Sequence, residues 1–257
     1  MLLAIDIGNT NINCGLFKGQ RLLHRFFYPT RLVPDSIKNH KFILKKNLSK
    51  VDLRSISCVI VCSVVPSKTS ILKEAISHLV NAKILVLGKD IIVPIKNLYK
   101  DPQKVGQDRL VNAYAGLKLF GPALILIDFG TAITFDIVSK KGQYLGGMIF
   151  PGLGISLKAL SENTALLPLL KKDFPKVLIG TDTQESLLSG VIFGTAEMTD
   201  GLIERIQRRY RGFKVIATGG DAGYISRFCK KIDVVDPVLT LKGIMLVFSW
   251  SNKSTKI

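Results

Sequence analysis

Two short patterns in the 257-residue chain set a carboxylate two residues ahead of a glycine. Residues 2–17 read LLAIDIGNTNINCGLF, and residues 124–138 read LILIDFGTAITFDIV. Each is an apolar run, then Ile-Asp-x-Gly, then a small polar residue, then an alternating apolar run. That order predicts a strand, a tight glycine turn and a returning strand. Gly8 and Gly130 carry no side chain, so a ligand can approach the backbone amides of the turn. Asn9, Thr10 and Thr131 add short polar groups beside those amides. Asp6 and Asp128 cannot bind phosphate directly, but a carboxylate can hold Mg2+ or its water shell, and the ion bridges to phosphate oxygens. One Asp-x-Gly alone reads as a β-turn. Two copies, one in each half of the chain, point to paired phosphate-binding hairpins.

A third glycine site follows at Lys214–Gly220 (KVIATGG) and runs on into Asp221, Ala222 and Gly223. It reads as a strand ending in a turn that leads toward a helix, with amide donors free for a base or ribose. There is no GxxxxGK[ST] and no GxGxxG after a strand, so neither a P-loop nor a dinucleotide-binding site is indicated.

The elements that must position these groups alternate between strand and helix. Ser57–Val65 is a valine-rich run closed by Pro66, Ser70–Val80 has helical spacing, and Lys83–Leu87 reads as a short strand. Asp108–Leu119 is helical, with Leu110, Val111, Tyr114, Ala115 and Leu117 inward. Gln184–Tyr210 reads as helices, with Met198, Leu202, Ile203, Ile206 and Tyr210 on one stripe and Arg205, Arg208 and Arg209 off it. Residues 251–257 read as a frayed tail. The sum is an α/β chain of two related halves, 1–117 and 118–257, with a cleft between them.

Composition bounds the rest. Apolar residues make up 47% and charged residues 21%, which excludes wholesale disorder. The most apolar stretches are broken by Asp128 and Asp136, or by Pro151 and glycines, and fall short of the ~20 clean residues of a membrane span. Asp6 interrupts the N-terminal apolar run, so it does not read as a signal peptide. Cys14, Cys58, Cys62 and Cys229 form no CxxC pair and read as reduced thiols of a cytoplasmic protein. His24, His40 and His78 show no metal-ligand spacing. Lys and Arg total 36 against 19 Asp and Glu, a formal charge of +17. Lys38, Lys41, Lys45, Lys46, Lys50 and Arg54 fit one side of a helix, with Ile37, Leu44, Leu48 and Val51 on the other. That face reads either as a solvated surface or as an anion-attracting field for a nucleotide or nucleic acid. Phe42 is the single Phe, Tyr or Trp among these lysines, too few to interleave as a stacking platform for single strands.

With DIGNTNIN (Asp6–Asn13), DFGTA (Asp128–Ala132) and Thr218-Gly219-Gly220, the chain resembles the superfamily of acetate kinase, sugar kinases, heat-shock ATPases and actin. It is more closely similar to type III pantothenate kinases, through those motifs plus Tyr99 with Pro102, GQDR (Gly106–Arg109), GGMIFPGLG (Gly146–Gly154) and GTDT (Gly180–Thr183). The resemblance implies two ribonuclease H-like or actin-like domains, each a mixed sheet flanked by helices. It implies ATP bound by Asp6, Ile7, Gly8, Asn9, Thr10, Asn11, Ile12, Asn13 and Thr131, with Asp6 near Mg2+ through water. It implies pantothenate held by Tyr99, Gly106, Gln107, Asp108, Arg109 and Thr183, with Asp108 as general base. Asp128 would bind a monovalent cation, K+ or NH4+, and the family is a homodimer. Coenzyme A biosynthesis is the implied pathway. Other readings of the same residues are a helix N-terminus at Asp108–Arg109, a packed aromatic at Tyr99 and a helix N-cap at Thr183. Gln107 departs from the alanine frequent in the family, and its side chain either adds a hydrogen bond or crowds the pocket. Two other functions fit the sequence: an accessory or transcription-regulating protein with an anionic partner, and a kinase for a different small alcohol.

Overall fold

The computed structural model of the chain describes residues 1–32 and 34–254, with side chains through Asn252. Two five-stranded mixed sheets form its framework. In the first, β1 (Leu2–Ile7), β2 (Asn11–Lys18) and β3 (Arg21–Pro29) make an antiparallel meander, while β4 (Cys58–Ser63) and β5 (Lys83–Val86) add in parallel beyond β1, giving the order β3-β2-β1-β4-β5. In the second, β6 (Leu124–Phe129), β7 (Ala132–Val138) and β8 (Tyr144–Pro151) repeat the meander, and β9 (Lys214–Thr218) and β10 (Val234–Val235) repeat the parallel pair. The order β8-β7-β6-β9-β10 is the first sheet strand for strand. The sequence repeat is a repeat of fold, and Asp6 and Asp128 occupy the same place in it, at the end of each sheet's central strand.

Central strands with apolar contacts on both faces read as unbroken apolar runs. β1 and β4 are of this kind. Leu3, Ile5, Ile7, Val59 and Val61 pack with Leu44 of α1 (Ile37–Asn47) and Leu72 and Ile76 of α2 (Pro66–Ser77). The opposite face takes the long C-terminal helix described below. Pro66 sits at the first turn of α2, where its missing N–H costs nothing, so the helix begins four residues before the Ser70 expected. The basic segment is not one helix: α1 ends at Asn47, and Leu53–Ser55 forms a separate 3-10 turn, leaving Lys50 and Arg54 outside. Lys38, Lys45 and Lys46 are exposed and Leu44 is buried, as its spacing requires.

The chain next forms α3 (Gln107–Phe120), and after the second meander α4 (Leu153–Glu162), the 27-residue α5 (Thr183–Arg209), the one-turn α6 (Ala222–Ile225) and α7 (Leu239–Ser254). Ile192, Ala196 and Ile203 of α5 pack on Ile125, Ile127, Phe129 and Phe135 of the second sheet. Residues 251–254 continue α7 rather than fraying, and 255–257 of the expected tail lie outside the described residues.

The fold separates into two compact units. The first holds residues 1–95, 100–119 and α7, and the second holds 96–99 and 120–238. A linear cut at 117/118 would leave α7 with the second half of the chain. Instead α7 packs on β1, β2 and β4. Its Leu239, Leu241, Ile244, Met245 and Val247 are buried, each side chain contributing about 1.5–3 kcal/mol. Thr240 donates its hydroxyl to Asn112 Oδ1 at 2.8 Å, and Gly243 lets the helix approach Val111 and Ala115 of α3.

Candidate active site

In the first unit, β1 delivers Asp6 to the end of the sheet, where Asn13 of β2 stands opposite it and Cys62 of β4 beside it. Asn13 donates from Nδ2 to Asp6 Oδ2 at 3.3 Å. The turn closes with the Gly8 N–H donating to the Asn11 carbonyl at 3.0 Å. Ile7 and Ile12 point into the core and anchor the hairpin, while Asn9 and Thr10 are exposed at its tip. Of the expected ATP residues, then, Ile7 and Ile12 contribute position through packing, and Asp6, Gly8, Asn9, Thr10, Asn11 and Asn13 carry the polar face.

Asp108 belongs to the first turn of α3. The Arg109 N–H donates to Asp108 Oδ1 at 2.9 Å, which folds the carboxylate back over Gly106. A Cβ at Gly106 would collide with that oxygen, so the glycine is a space requirement of the acid. Burial pushes the Asp108 carboxyl above the usual carboxylate range, and the N–H and charge of Arg109 oppose that rise only in part. The buried Cys62 thiol is pushed well up by burial and further by the carboxylates of Asp6 and Asp108. Both acids therefore gather around one strand end, in a single unit. A carboxylate held partly desolvated in a helix's first turn has the chemistry of a proton acceptor. The Gln107 side chain does not crowd this place. It lies against Gly88, whose φ of +80° and missing Cβ make room for it.

In the second unit the Asp128 hairpin meets two other motifs. Gly219, with φ +97°, brings the Thr218-Gly219-Gly220 turn against the Asp128 carboxylate and the Phe129 carbonyl, where any Cβ would clash. Asp221 donates its N–H to the Phe129 carbonyl at 2.9 Å. Gly152 donates its N–H to the Thr131 carbonyl at 3.0 Å and packs on the Gly130 and Thr131 carbonyls so closely that only glycine fits. Three motifs that are separate in sequence are one assembly here.

Tyr99 lies on an edge extension of the second sheet: Leu98 N–H donates to the Tyr144 carbonyl and Tyr144 N–H to the Lys96 carbonyl, each at 2.9 Å. Its ring stands 6.5 Å from that of Tyr144 and over Gly146, and it remains 37% exposed. It is thus not a buried packing aromatic. Thr183 is not the N-cap of α5. Asp182 is, accepting the Glu185 N–H at 2.8 Å, while Glu185 reaches back to Thr181. Thr183 is exposed at the first helical position, on the wall of a concavity of about 500 Å3 that Leu167, Gly180 and Leu187 also line.

Two groups escaped the sequence reading. Thr30, just past β3, donates its hydroxyl to the Gly8 carbonyl at 2.7 Å and its N–H to the Thr10 carbonyl at 2.8 Å. Asp136 is buried and accepts from the Tyr144 hydroxyl at 2.7 Å and the Thr134 hydroxyl at 3.0 Å. Aligning the two repeats through their meanders would have exposed the first, because a proline precedes the equivalent residue in each copy. No local pattern signals the second.

Comparison with known proteins completes the picture. The family model described as type III pantothenate kinase matches residues 2–205. A type III pantothenate kinase of Moorella thermoacetica is 40% identical over 254 residues, which cover 96% of this chain and 98% of that protein. Among solved structures, a conserved Campylobacter jejuni protein named for the Baf family of transcriptional activators superimposes with a TM-score of 0.61 at 20% identity, over 98% of this chain and 99% of the other. MreB 5 of Spiroplasma citri bound to AMPPNP superimposes with a TM-score of 0.53 at 10% identity, over 99% and 98%. These two likenesses concern the fold. They agree with the expected actin-like sheets flanked by helices. The sequence relatives favour the kinase over the nucleic-acid-binding alternative.

Proposed function

The chain belongs to the type III pantothenate kinase family, and we propose that it transfers the γ-phosphoryl group of ATP to the primary hydroxyl of pantothenate. The products are ADP and 4′-phosphopantothenate, at the first step of coenzyme A synthesis. The observation that carries this reading is the Asp108 carboxylate, partly desolvated and folded over Gly106, gathered with the Asp6 hairpin around Cys62.

Phosphoryl transfer asks the protein mainly for positioning and charge neutralisation. The Gly8–Asn13 turn presents amide and carboxamide donors to the phosphates. Asp108 accepts the proton of the attacking hydroxyl as the new P–O bond forms and the bond to ADP breaks, and its raised proton affinity suits it to that task. Arg109, Tyr99 and Thr183 are assigned to pantothenate, Thr131 to ATP, on the strength of their motif positions; the fixed guanidinium fork of Arg109 suits a carboxylate. The donor set fits Mg2+ arriving with ATP. Among the described residues no group of three or more His, Cys, Asp or Glu could hold a metal ion, and Mg2+ is commonly held by one or two carboxylates plus substrate phosphates. Asp6 would hold it through water, and the ion would supply charge neutralisation. Asp128, an oxygen donor beside the Gly219 turn, is assigned to K+ or NH4+.

The enzyme is proposed to be a cytoplasmic homodimer. Its four cysteines are free, and no helix among the described residues is long and apolar enough to cross a membrane. Leu166, Leu169, Leu178 and Ile179 of the second unit are between 67% and 90% exposed, apolar surface that a second copy would cover. The test is ADP release that requires both Mg-ATP and pantothenate. A panel of small alcohols run beside it separates this substrate from another on the same scaffold. Folded protein with no pantothenate-dependent turnover in K+ or NH4+ refutes the proposal.

A further inference from the structure

The two hairpin turns differ by one residue, Gly8 donating its N–H to the Asn11 carbonyl and Gly130 to the Ala132 carbonyl, yet the third strand of each meander ends on its hairpin in the same way, and one side chain there singles out a residue. Pro29 pairs with Asn11 at the end of β3, and Pro151 pairs with Ala132 at the end of β8. The residues that follow, Thr30 and Gly152, therefore stand in equivalent places. Each donates its N–H to a carbonyl at the tip of its hairpin, Thr10 at 2.8 Å and Thr131 at 3.0 Å. A proline has no N–H to extend the ladder, so the next residue's donor is left to serve the hairpin. The copies then diverge. In the second unit Gly152 packs bare backbone on the tip. In the first, Thr30 adds a hydroxyl that donates to the Gly8 carbonyl at 2.7 Å, from a residue only 1% exposed.

We propose that Thr30 is a positioning residue for ATP, orienting the phosphate-binding turn without touching the nucleotide. The inference rests on the reading that the Gly8–Asn13 turn binds ATP phosphates. A trans peptide is planar, with its carbonyl and its N–H on opposite sides. Holding the Gly8 carbonyl therefore fixes the Asn9 N–H in the opposite direction, and holding the Thr10 carbonyl fixes the Asn11 N–H likewise. Both amides face away from Thr30. Glycine at position 8 leaves this turn torsionally free, so without the second tether the Asn9 peptide can rotate. The hydroxyl thus supplies order before the ligand arrives, which raises affinity by lowering the cost of ordering on binding.

The experiment compares T30V, which keeps the shape and loses the hydroxyl, with T30S, which keeps the hydroxyl. Equilibrium binding of Mg-ATP without pantothenate is measured for each, together with both KM values. T30V is expected to weaken ATP binding and raise the ATP KM about five- to tenfold, the worth of one hydrogen bond. Its pantothenate KM should stay within twofold. T30S should restore ATP binding to within about twofold of the parent, and the Asn9 amide should exchange faster in T30V alone. Unchanged ATP binding in T30V overturns the positioning role. So does a matched rise in both KM values with a lowered Tm that T30S fails to correct, because that pattern is general destabilisation. A parent chain that binds no Mg-ATP refutes the kinase reading itself, a different result from parent binding that T30V leaves intact.

Discussion

Replacing Gly106 with alanine tests the catalytic geometry through a single methyl group. The Cβ would fall on Asp108 Oδ1, while Asp108 Cγ at 3.6 Å and Val64 Cγ1 at 3.8 Å are ordinary contacts. Only the carboxylate has to move, and a short side chain can swing away at small cost. The backbone at residue 106 is not in the left-handed region, so alanine is conformationally allowed. The change also restricts the unfolded chain, a stabilising effect of about 0.4–1 kcal/mol. Folding stability should therefore stay within about 1 kcal/mol, or about 2–4 °C in Tm for units of this size. Catalysis should not. General-base action contributes about 10²–10⁴-fold, and a displacement of about 1 Å can cost 10²-fold. We expect G106A to lower kcat about 10²-fold, with the ATP KM nearly unchanged. D108N sets the floor, keeping ATP binding and losing most of the rate. The assay is coupled ADP release at saturating ATP and pantothenate, with thermal unfolding alongside. A G106A enzyme whose kcat lies within threefold of the parent would refute the claim that Asp108 acts from its place over Gly106.

Because burial holds the Asp108 carboxyl above its ordinary value, kcat should fall on acidification with an apparent pKa above the ~3.9 of a free aspartate; a limb at or below that value contradicts the assignment. The same shift has a stability sign: an acid whose folded pKa is raised costs stability once pH rises through that pKa, so D108N should unfold at a higher Tm than the parent at neutral pH and lose the advantage at pH about 3. In the second unit, G152A puts a Cβ against the Gly130 and Thr131 carbonyls, backbone atoms that cannot step aside; a loss of about 1–3 kcal/mol is expected by calorimetry, and an unchanged Tm would show that the hairpin packs differently. Turnover should rise with K+ or NH4+ relative to Na+, and D128A should abolish that difference. A D128A enzyme that still discriminates among the cations would move the site elsewhere.

The duplication was legible because both repeats keep the same local order of apolar run, acid, glycine and alternating return strand. That order fixed where Asp6 and Asp128 stand and which motifs would be turns. Element ends were less legible. The lysines from 38 to 54 keep helical spacing past Asn47, but the chain leaves the helix there and only Leu53–Ser55 turns again. Periodicity alone does not register such a break. Thr183 looked like a cap because threonine is a good one, yet Asp182 one residue earlier takes the role. Thr30 and Asp136 were invisible for another reason: each acts on a partner, Gly8 or Tyr144, that is near only once the meander has closed. The role of Gln107 likewise depends on Gly88, a contact that sequence spacing does not announce.

The C-terminal helix has a consequence for how the molecule is made. Synthesis delivers the meander, β4, β5 and α3 early, but one face of that sheet stays bare until α7 has left the ribosome. The unit begun first is thus completed last. In the interval the nascent chain exposes the apolar surface that Leu241 and Ile244 will cover, a state in which chaperone capture and misassociation compete with folding. A version ending at Val238 should be recovered mainly in aggregates, even though every residue of the Asp6 and Asp108 cluster is present in it.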